Sequence, residues 1–306
     1  MTEALLWIGF VAFIVGMLVL DLKVLQKKDR DIMVREALLW TLFWIILSLL
    51  FNVGVYLYMG RDYALEFLTG YLIEKALSVD NIFVFILIFT YFDIPPRYQH
   101  KILFWGILGA IVMRAAFILA GVAIIQRLHW AIYILGAFLV YIGIKMAFEK
   151  EKEIHPEKNP ALRAFNKVYP VDYNYKGGNF FIKKAGKLVA TPIFVVLLVI
   201  ETTDIVFAID SIPAILSITL HPFIVFTSNI FAILGLRALY FAVSGIMKLF
   251  KYLNYGLSLI LVFVGVKMLI SDFYKIPVSI ALSVVGALLV GSILLSILLP
   301  EKKKKD

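Results

Sequence analysis

One stretch of this chain has the length and apolarity to cross a bilayer, yet it carries three carboxylates. The run spans about 191–220 and contains Glu201-Thr-Thr-Asp204-Ile-Val-Phe-Ala-Ile-Asp210-Ser211-Ile-Pro213. An acid at the centre of a spanning helix costs roughly 2.5–3.5 kcal/mol on the insertion scale, so three cost about 8–10 kcal/mol. Packing alone does not account for keeping them. An earlier stretch repeats the anomaly, Glu74-Lys75-Ala-Leu-Ser78-Val-Asp80-Asn81. The two read as parts of one polar site inside the membrane.

The chain is 62% hydrophobic over its 306 residues, above the roughly 45–50% of soluble domains. That composition makes it an all-α polytopic membrane protein, one transmembrane domain over 1–306. Nine apolar runs can be marked, at 4–20, 36–59, 63–92, 102–125, 129–148, 190–219, 222–247, 252–271 and 277–299. Each is long enough for a bilayer core of about 30 Å at 1.5 Å per residue, the first only just. A formal net charge of +9 would raise nucleic-acid binding in a soluble protein. Here the excess lies in loops between apolar runs, so no nucleic-acid partner is expected. Cysteine is absent, which removes disulfides, thiolate metal sites and redox dithiols.

The loop charges set an orientation. One set of alternate loops holds Lys23, Lys27, Lys28, Arg30, Arg35, Arg97, Lys101, the basic residues of 149–187, Lys248, Lys251 and Lys302 to Lys305. The other holds only Arg61, Arg127 and Lys275. The positive-inside rule puts the first set in the cytoplasm. The expected topology is therefore N-terminus outside and C-terminus inside. Glu3, rather than a basic cluster, precedes the first run, so that run reads as an uncleaved span.

The segment 149–189 reads as a long cytoplasmic loop. Within it, 159–168 has the pattern of a short amphipathic interfacial helix, and 179–189 that of a hairpin turning near Ala185-Gly186. A loose connector is the competing reading of the same residues.

The runs flanking this loop repeat. Asp80-Asn-Ile-Phe aligns with Asp204-Ile-Val-Phe. Arg114 follows the first Asp by 34 residues and Arg237 the second by 33. Gly143-Ile-Lys145 and Gly265-Val-Lys267 then align, with the lysines 65 and 63 residues on. Helices 3–5 (63–148) therefore match helices 6–8 (190–271). Three spans per copy is an odd number, so the copies are inverted, and inverted repeats place a site near the bilayer midplane.

Within the site, Glu74, Ser78 and Asn81 share a helix face at i, i+4 and i+7, with Asp80 about 100° round from Asn81. Lys75 is a candidate ion-pair partner for Glu74. Glu201 and Asp204 share a face at i, i+3. Asp210 would point away unless Pro213 breaks the helix near 209–213, swinging it inward and freeing carbonyl oxygens. A packed proline kink is the other possibility. The symmetric Arg114 and Arg237 are expected to form structural ion pairs with Asp80 and Asp204, or else to meet an anionic substrate. Five acids against Lys75, Arg114 and Arg237 leave a balance of about −2, which suits one divalent cation. Candidate ligands are Glu74, Asp80, Asn81, Glu201, Asp204 and Asp210, with Ser78, Ser211 and Asn229 as additions. Carboxylate, amide and carbonyl oxygens suit Mn²⁺, Mg²⁺ or Ca²⁺ rather than Zn or Cu.

These residues also carry a family likeness. Glu74 to Asn81, Asp204-Ile-Val-Phe-Ala-Ile-Asp-Ser-Ile-Pro213 and Thr227-Ser-Asn-Ile-Phe-Ala-Ile-Leu-Gly-Leu-Arg237 resemble the TerC family, named for tellurium resistance. The resemblance covers nearly the whole chain. It implies an inner-membrane protein of about nine spans in the wider lysine-exporter-like superfamily. It implies a link to manganese export and metal homeostasis in some members, and to tellurite resistance or membrane-protein assembly in others.

The expected function is a divalent-cation exporter, with manganese as substrate ion and no organic cofactor. It would act by alternating access, with the lipid bilayer as its other partner. The alternative is a non-transport scaffold for protein assembly or tellurite resistance, with a structural polar core. An enzyme is not expected, since the chain has no H-E-x-x-H-type motif. The topology is directly testable because the chain has no cysteine of its own. Single Arg61→Cys and Lys275→Cys variants should react with an impermeant maleimide from outside, and Lys28→Cys and Lys303→Cys only from inside. External labelling at 303 would overturn the nine-span orientation.

Overall fold

The computed structural model describes residues 2–25, 34–128, 130–148, 159–172, 177–184, 186–244 and 252–298. Side chains at 2–3, 20–25 and 80 lie outside the described set. Eleven helices and one small hairpin make up the described fold. They run α1 (Thr2–Leu25), α2 (Val34–Met59), α3 (Arg61–Tyr91), α4 (Pro96–Arg127), α5 (Ala131–Phe148) and α6 (Pro160–Val168). After the hairpin β1 (Phe181–Lys184) and β2 (Lys187–Ala190) come α7 (Pro192–Leu216), α8 (Pro222–Leu234), α9 (Leu236–Ser244), α10 (Leu253–Leu269) and α11 (Val278–Leu298).

Proline opens α4, α6, α7 and α8. Its missing N–H costs nothing in the first turn, and its fixed φ suits the helix. Five helices, α2, α4, α5, α7 and α11, are long and apolar enough to cross a membrane. The pair α8 and α9, bent by 40° at Gly235, makes a sixth if it is one broken span. Helix α3 has 31 residues, about 46 Å at the helical rise, but its interior charges keep it from being counted by apolarity. Helices α1 and α10 qualify only as shorter apolar helices.

The break falls in a different place from the one expected. Helix α7 runs unbroken through Pro213, while the chain bends at Gly235. Pro213 lacks the N–H that would reach the Ile209 carbonyl one turn earlier, and α7 continues past it to Leu216. Glycine at 235 lacks a side chain to fill the contact between turns, and two other groups occupy that space, as described below.

Four apolar clusters hold the described helices together, the smallest joining α4, α7 and α8 through Ile118, Val122, Ile212 and Val225. An aromatic one joins α1, α2, α3 and α8 through Phe10, Phe51, Phe67, Phe223 and Phe231, with Phe51 and Phe231 centroids 4.7 Å apart. A second joins α3, α4, α7 and α9. A third joins α3, α5, α10 and α11.

The tightest pairing is α5 on α10, where glycines let the backbones meet. A Cβ on Gly265 would lie 2.7 Å from the Gly136 carbonyl, and one on Gly136 would lie 3.0 Å from the Gly265 carbonyl. Two turns away, Ser258 Oγ donates to the Gly143 carbonyl at 2.6 Å. Small residues at such crossings allow the close packing that drives helix association in lipid, where no hydrophobic effect separates helix from solvent.

The segment after α5 is not a bare connector. Asn159 caps α6, accepting from the N–H groups of Ala161 and Leu162, and its Nδ2 donates to Thr202 Oγ1 at 2.7 Å. At the other end of α6, Phe165 meets Phe194 at 5.2 Å. Helix α6 therefore lies along α7. The expected hairpin forms, with Phe181 paired to Ala190 and Gly186 at φ 78° in its turn. Thr191 Oγ1 ties it to the Asn179 carbonyl.

The glycine crossing makes a prediction with opposite signs at two places. Gly265→Ala should destabilise the protein by about 1–3 kcal/mol, because backbone must move. Gly286→Ala on α11 meets nothing within 4 Å and should be neutral or stabilising by about 0.5–1 kcal/mol. Thermal unfolding of the detergent-solubilised variants checks both.

Candidate polar site between the two halves of the chain

The buried polar groups converge on one side chain, Arg114. It is 1% exposed, as is Glu74, at mid-helix depth in α4. Its Nη1 pairs with Glu74 Oε1 on α3, and its Nη2 lies 3.4 Å from Asp204 Oδ1 on α7. Nη1 also reaches Ser211 Oγ and Asn229 Oδ1, each at 3.3 Å. Asn229 Nδ2 then donates to Glu74 Oε2 at 3.0 Å, closing a ring of bonds. Helix geometry explains who takes part. Asp204 and Ser211 are seven residues apart, two turns along one face of α7. The Thr227 and Ser228 hydroxyls bond back to carbonyls of their own helix, so Asn229 is the group of that triplet aimed at the site.

Two carboxylates against one guanidinium leave this cluster one positive charge short of balance. The shortfall is visible in the bonding: Asp204 Oδ2 is buried without a hydrogen-bond partner, as are Ser78 Oγ and Arg114 Nε. A buried carboxylate oxygen with no donor is costly and calls for a cation, a proton or a water.

The structure rearranges the expected ion pairs. The cation on Asp204 is Arg114, not Arg237. The reason is packing: α4 lies beside α7, whereas α9, which carries Arg237, packs on α2 and α3. Arg237 is itself buried, 2% exposed. The proposed partner Asp80 has its backbone in α3, but its side chain falls outside the described residues. Lys75 does not pair with Glu74. Neighbours on a helix point about 100° apart, and the Lys75 Nζ reaches α8 instead, at the Ala232 carbonyl, 3.2 Å away.

The remaining expected ligands are spread out. Ser78 and Asn81 are buried on the Glu74 face of α3. Glu201 is half-buried against α4, where Gly109 leaves its room; a Cβ at 109 would overlap the carboxylate. Asp210 is half-buried on α7, away from the Asp204 face. Among the described residues, no three carboxylate or imidazole groups come together closely enough to hold a metal ion. Of the expected set, Glu74 and Asp204 meet on Arg114, Glu201 sits against Gly109 and Asp210 lies on another face of α7, while the Asp80 side chain lies outside the described residues. Sequence reasoning missed Gly109 and Gly235. Isolated glycines inside an apolar helical pattern are the available signal, but they do not say what fills the space.

Comparison with known proteins places the chain in context. The family model described as "Integral membrane protein TerC family" matches residues 59–304. An uncharacterised membrane protein of Myxococcus xanthus is 50% identical over 293 residues, covering 96% of this chain and 92% of that protein. Proteins provisionally named membrane-bound redox modulator Alx are similar too. The one from Salmonella typhi is 44% identical over 310 residues, covering 98% of this chain and 96% of its own. The one from Escherichia coli K12 is 44% identical over 301 residues, covering 95% and 94%. No solved structure matches the chain.

The energetics of the cluster can be measured. Polar bonds between membrane helices average about 0.6 kcal/mol and reach roughly 1.7, whereas an uncompensated buried charge costs about 3–5 kcal/mol. Asn229→Ala should therefore cost about 1 kcal/mol and Arg114→Met about 3–5. The double variant Glu74→Gln with Arg114→Met should be more stable than Arg114→Met alone. Melting temperature and folded yield on size exclusion distinguish the three.

Proposed function

The chain belongs to the TerC family of integral membrane proteins, and from that premise we propose that it exports divalent metal cations, manganese first among them, by alternating access. The observation that carries this reading is the orphaned Asp204 Oδ2 beside Arg114, in a buried cluster built from both halves of the chain. A scaffold needs no unsatisfied carboxylate at membrane depth; a cation carrier does. In this conformation the guanidinium takes the place of the ion. Cation binding would draw Glu74, Asp204 and Asn229 off Arg114, with Asp80, Asn81, Ser78, Glu201, Asp210 and Ser211 supplying further oxygens as the helices shift. Manganese is substrate rather than resident cofactor.

The proposal includes nine spans: α1, α2, α3, α4, α5, α7, the bent α8–α9 pair, α10 and α11. It places the N-terminus outside and the C-terminus inside, in the plasma membrane of a bacterial-type cell. Helices α3 to α5 and α7 to α10 form the two inverted copies. Contact symmetry supports this. Copy-related pairs occur together: α4 with α7 alongside α3 with α8, and α5 with α10 across the axis. The close approaches of Gly136 to Gly265 and of Gly143 to Ser258 are related by one shift of 122 residues.

A second reading is supported by Arg114 saturating one side of Glu74 and by the absence, among the described residues, of three acidic or imidazole groups that meet. It is the non-transport scaffold with a structural polar core. The redox name of the relatives has no thiol counterpart here, since the chain has no cysteine. One experiment separates the two readings. Cells under manganese stress that express the wild type should hold less manganese than cells expressing Asp204→Asn or Asp210→Asn at equal protein level. Proteoliposomes should show Mn²⁺ flux, inhibited by competing hard divalent ions and lost in the variants. Equal intracellular manganese in all strains, with no flux from the wild type, would favour the scaffold.

A further inference from the structure

The break between α8 and α9 contains a cation of its own. Lys75 follows Glu74 on α3 and therefore points away from the Arg114 cluster. Its Nζ donates to the carbonyl of Ala232 at 3.2 Å, in the last turn of α8 before the 40° bend. The fit is tight. A Cβ on Gly235 would lie 2.9 Å from Lys75 Nζ and 3.0 Å from Trp44 Cβ. Bend, ammonium and indole are packed as one unit.

The chemistry of a broken helix explains why a cation belongs there. In a continuous helix the Ala232 carbonyl would accept from the N–H four residues on. At a helix C-terminus the last carbonyls lose such partners and carry the negative end of the dipole. Within a membrane no bulk water replaces them. Transporters with discontinuous helices place a bound Na⁺ or proton against carbonyls of this kind.

We infer that Lys75 is a tethered monovalent cation: its ammonium fills a seat against the Ala232 carbonyl at the α8–α9 break that would otherwise take a small alkali-metal ion. Lys75 is thus a positioning residue. It holds the bend between Asn229 on α8, which bonds Glu74, and Arg237 on α9. The wild-type protein needs no alkali cation at this break, and a chain without the ammonium acquires a site for one. Only the flux measurement below rests on the transport reading.

The test uses the full-length protein in detergent, as wild type, Lys75→Ala and Lys75→Ser. Melting is followed in NaCl, KCl, LiCl and N-methyl-D-glucamine chloride at equal ionic strength. The wild type should melt at one temperature in all four. Lys75→Ala should melt lower in N-methyl-D-glucamine and rise with Na⁺ or another alkali ion as a specific ligand does, with the logarithm of its concentration. Lys75→Ser, which adds a hydroxyl ligand in the vacated space, should respond at lower cation concentration. Equal melting of Lys75→Ala in all four salts overturns the inference, as does failure of both variants to fold in any salt. Folding only with an alkali cation upholds it. In proteoliposomes, Lys75→Ala should gain an alkali-cation dependence of Mn²⁺ flux that the wild type lacks. Absent wild-type flux would count against transport while leaving the melting result intact. Salt-indifferent melting of Lys75→Ala would defeat the inference with wild-type flux unaffected.

Discussion

A guanidinium buried among four helices sets the terms for this structure. Arg114 carries its charge at 1% exposure, where isolation would be prohibitive, so α3, α7 and α8 must each deliver a group to it. Glu74, Asp204, Ser211 and Asn229 do so. The two halves of the chain are thereby joined through a polar contact that cannot be exchanged for lipid. Such a contact is worth little as net stability compared with well-packed apolar residues. Its physical effect is on register: α4 and α7 cannot slide past one another without stranding a charge.

The apolar packing works around this requirement. Glycines at 136, 143 and 265 bring α5 and α10 into backbone contact, and the aromatic cluster around Phe51 and Phe231 fixes α1 and α2 on α8. Apart from the Ser258 bond to the Gly143 carbonyl, these contacts use shape, because in lipid one apolar surface gains nothing by meeting another unless they fit. The polar layer and the close-packed crossings do different jobs. One specifies which helices face the centre; the other packs the helices that surround it. Asp204 Oδ2, buried and unpartnered, is the point in this layer where a donor or cation is energetically called for.

The bend at Gly235 shows how a local sequence signal can be read correctly in kind and wrongly in place. The sequence points to a break at 209–213, from the acids beside Pro213. Proline at 213 is the louder signal, yet α7 continues through it. Gly235 is quiet in sequence, and the bend there depends on Lys75 from α3 and Trp44 from α2. Those residues lie about 160 and 190 positions away in the chain.

Much was decided by the sequence alone. Long apolar runs in a chain 62% hydrophobic leave only membrane helices as a way to satisfy the backbone. Acids within those runs name the polar residues, since each must be compensated. The short helix at 160–168 and the hairpin at 181–190 are local patterns and form as such. Pairing was left to the tertiary structure. Symmetry of the repeat gives equal claims to Arg114 and Arg237. The placement of α4 beside α7, and of α9 beside α2 and α3, gives Asp204 to Arg114. Likewise Lys75 adjoins Glu74 in sequence but serves Ala232 in space. Periodicity tells which face of a helix a residue occupies; only the packed neighbours tell what that face meets.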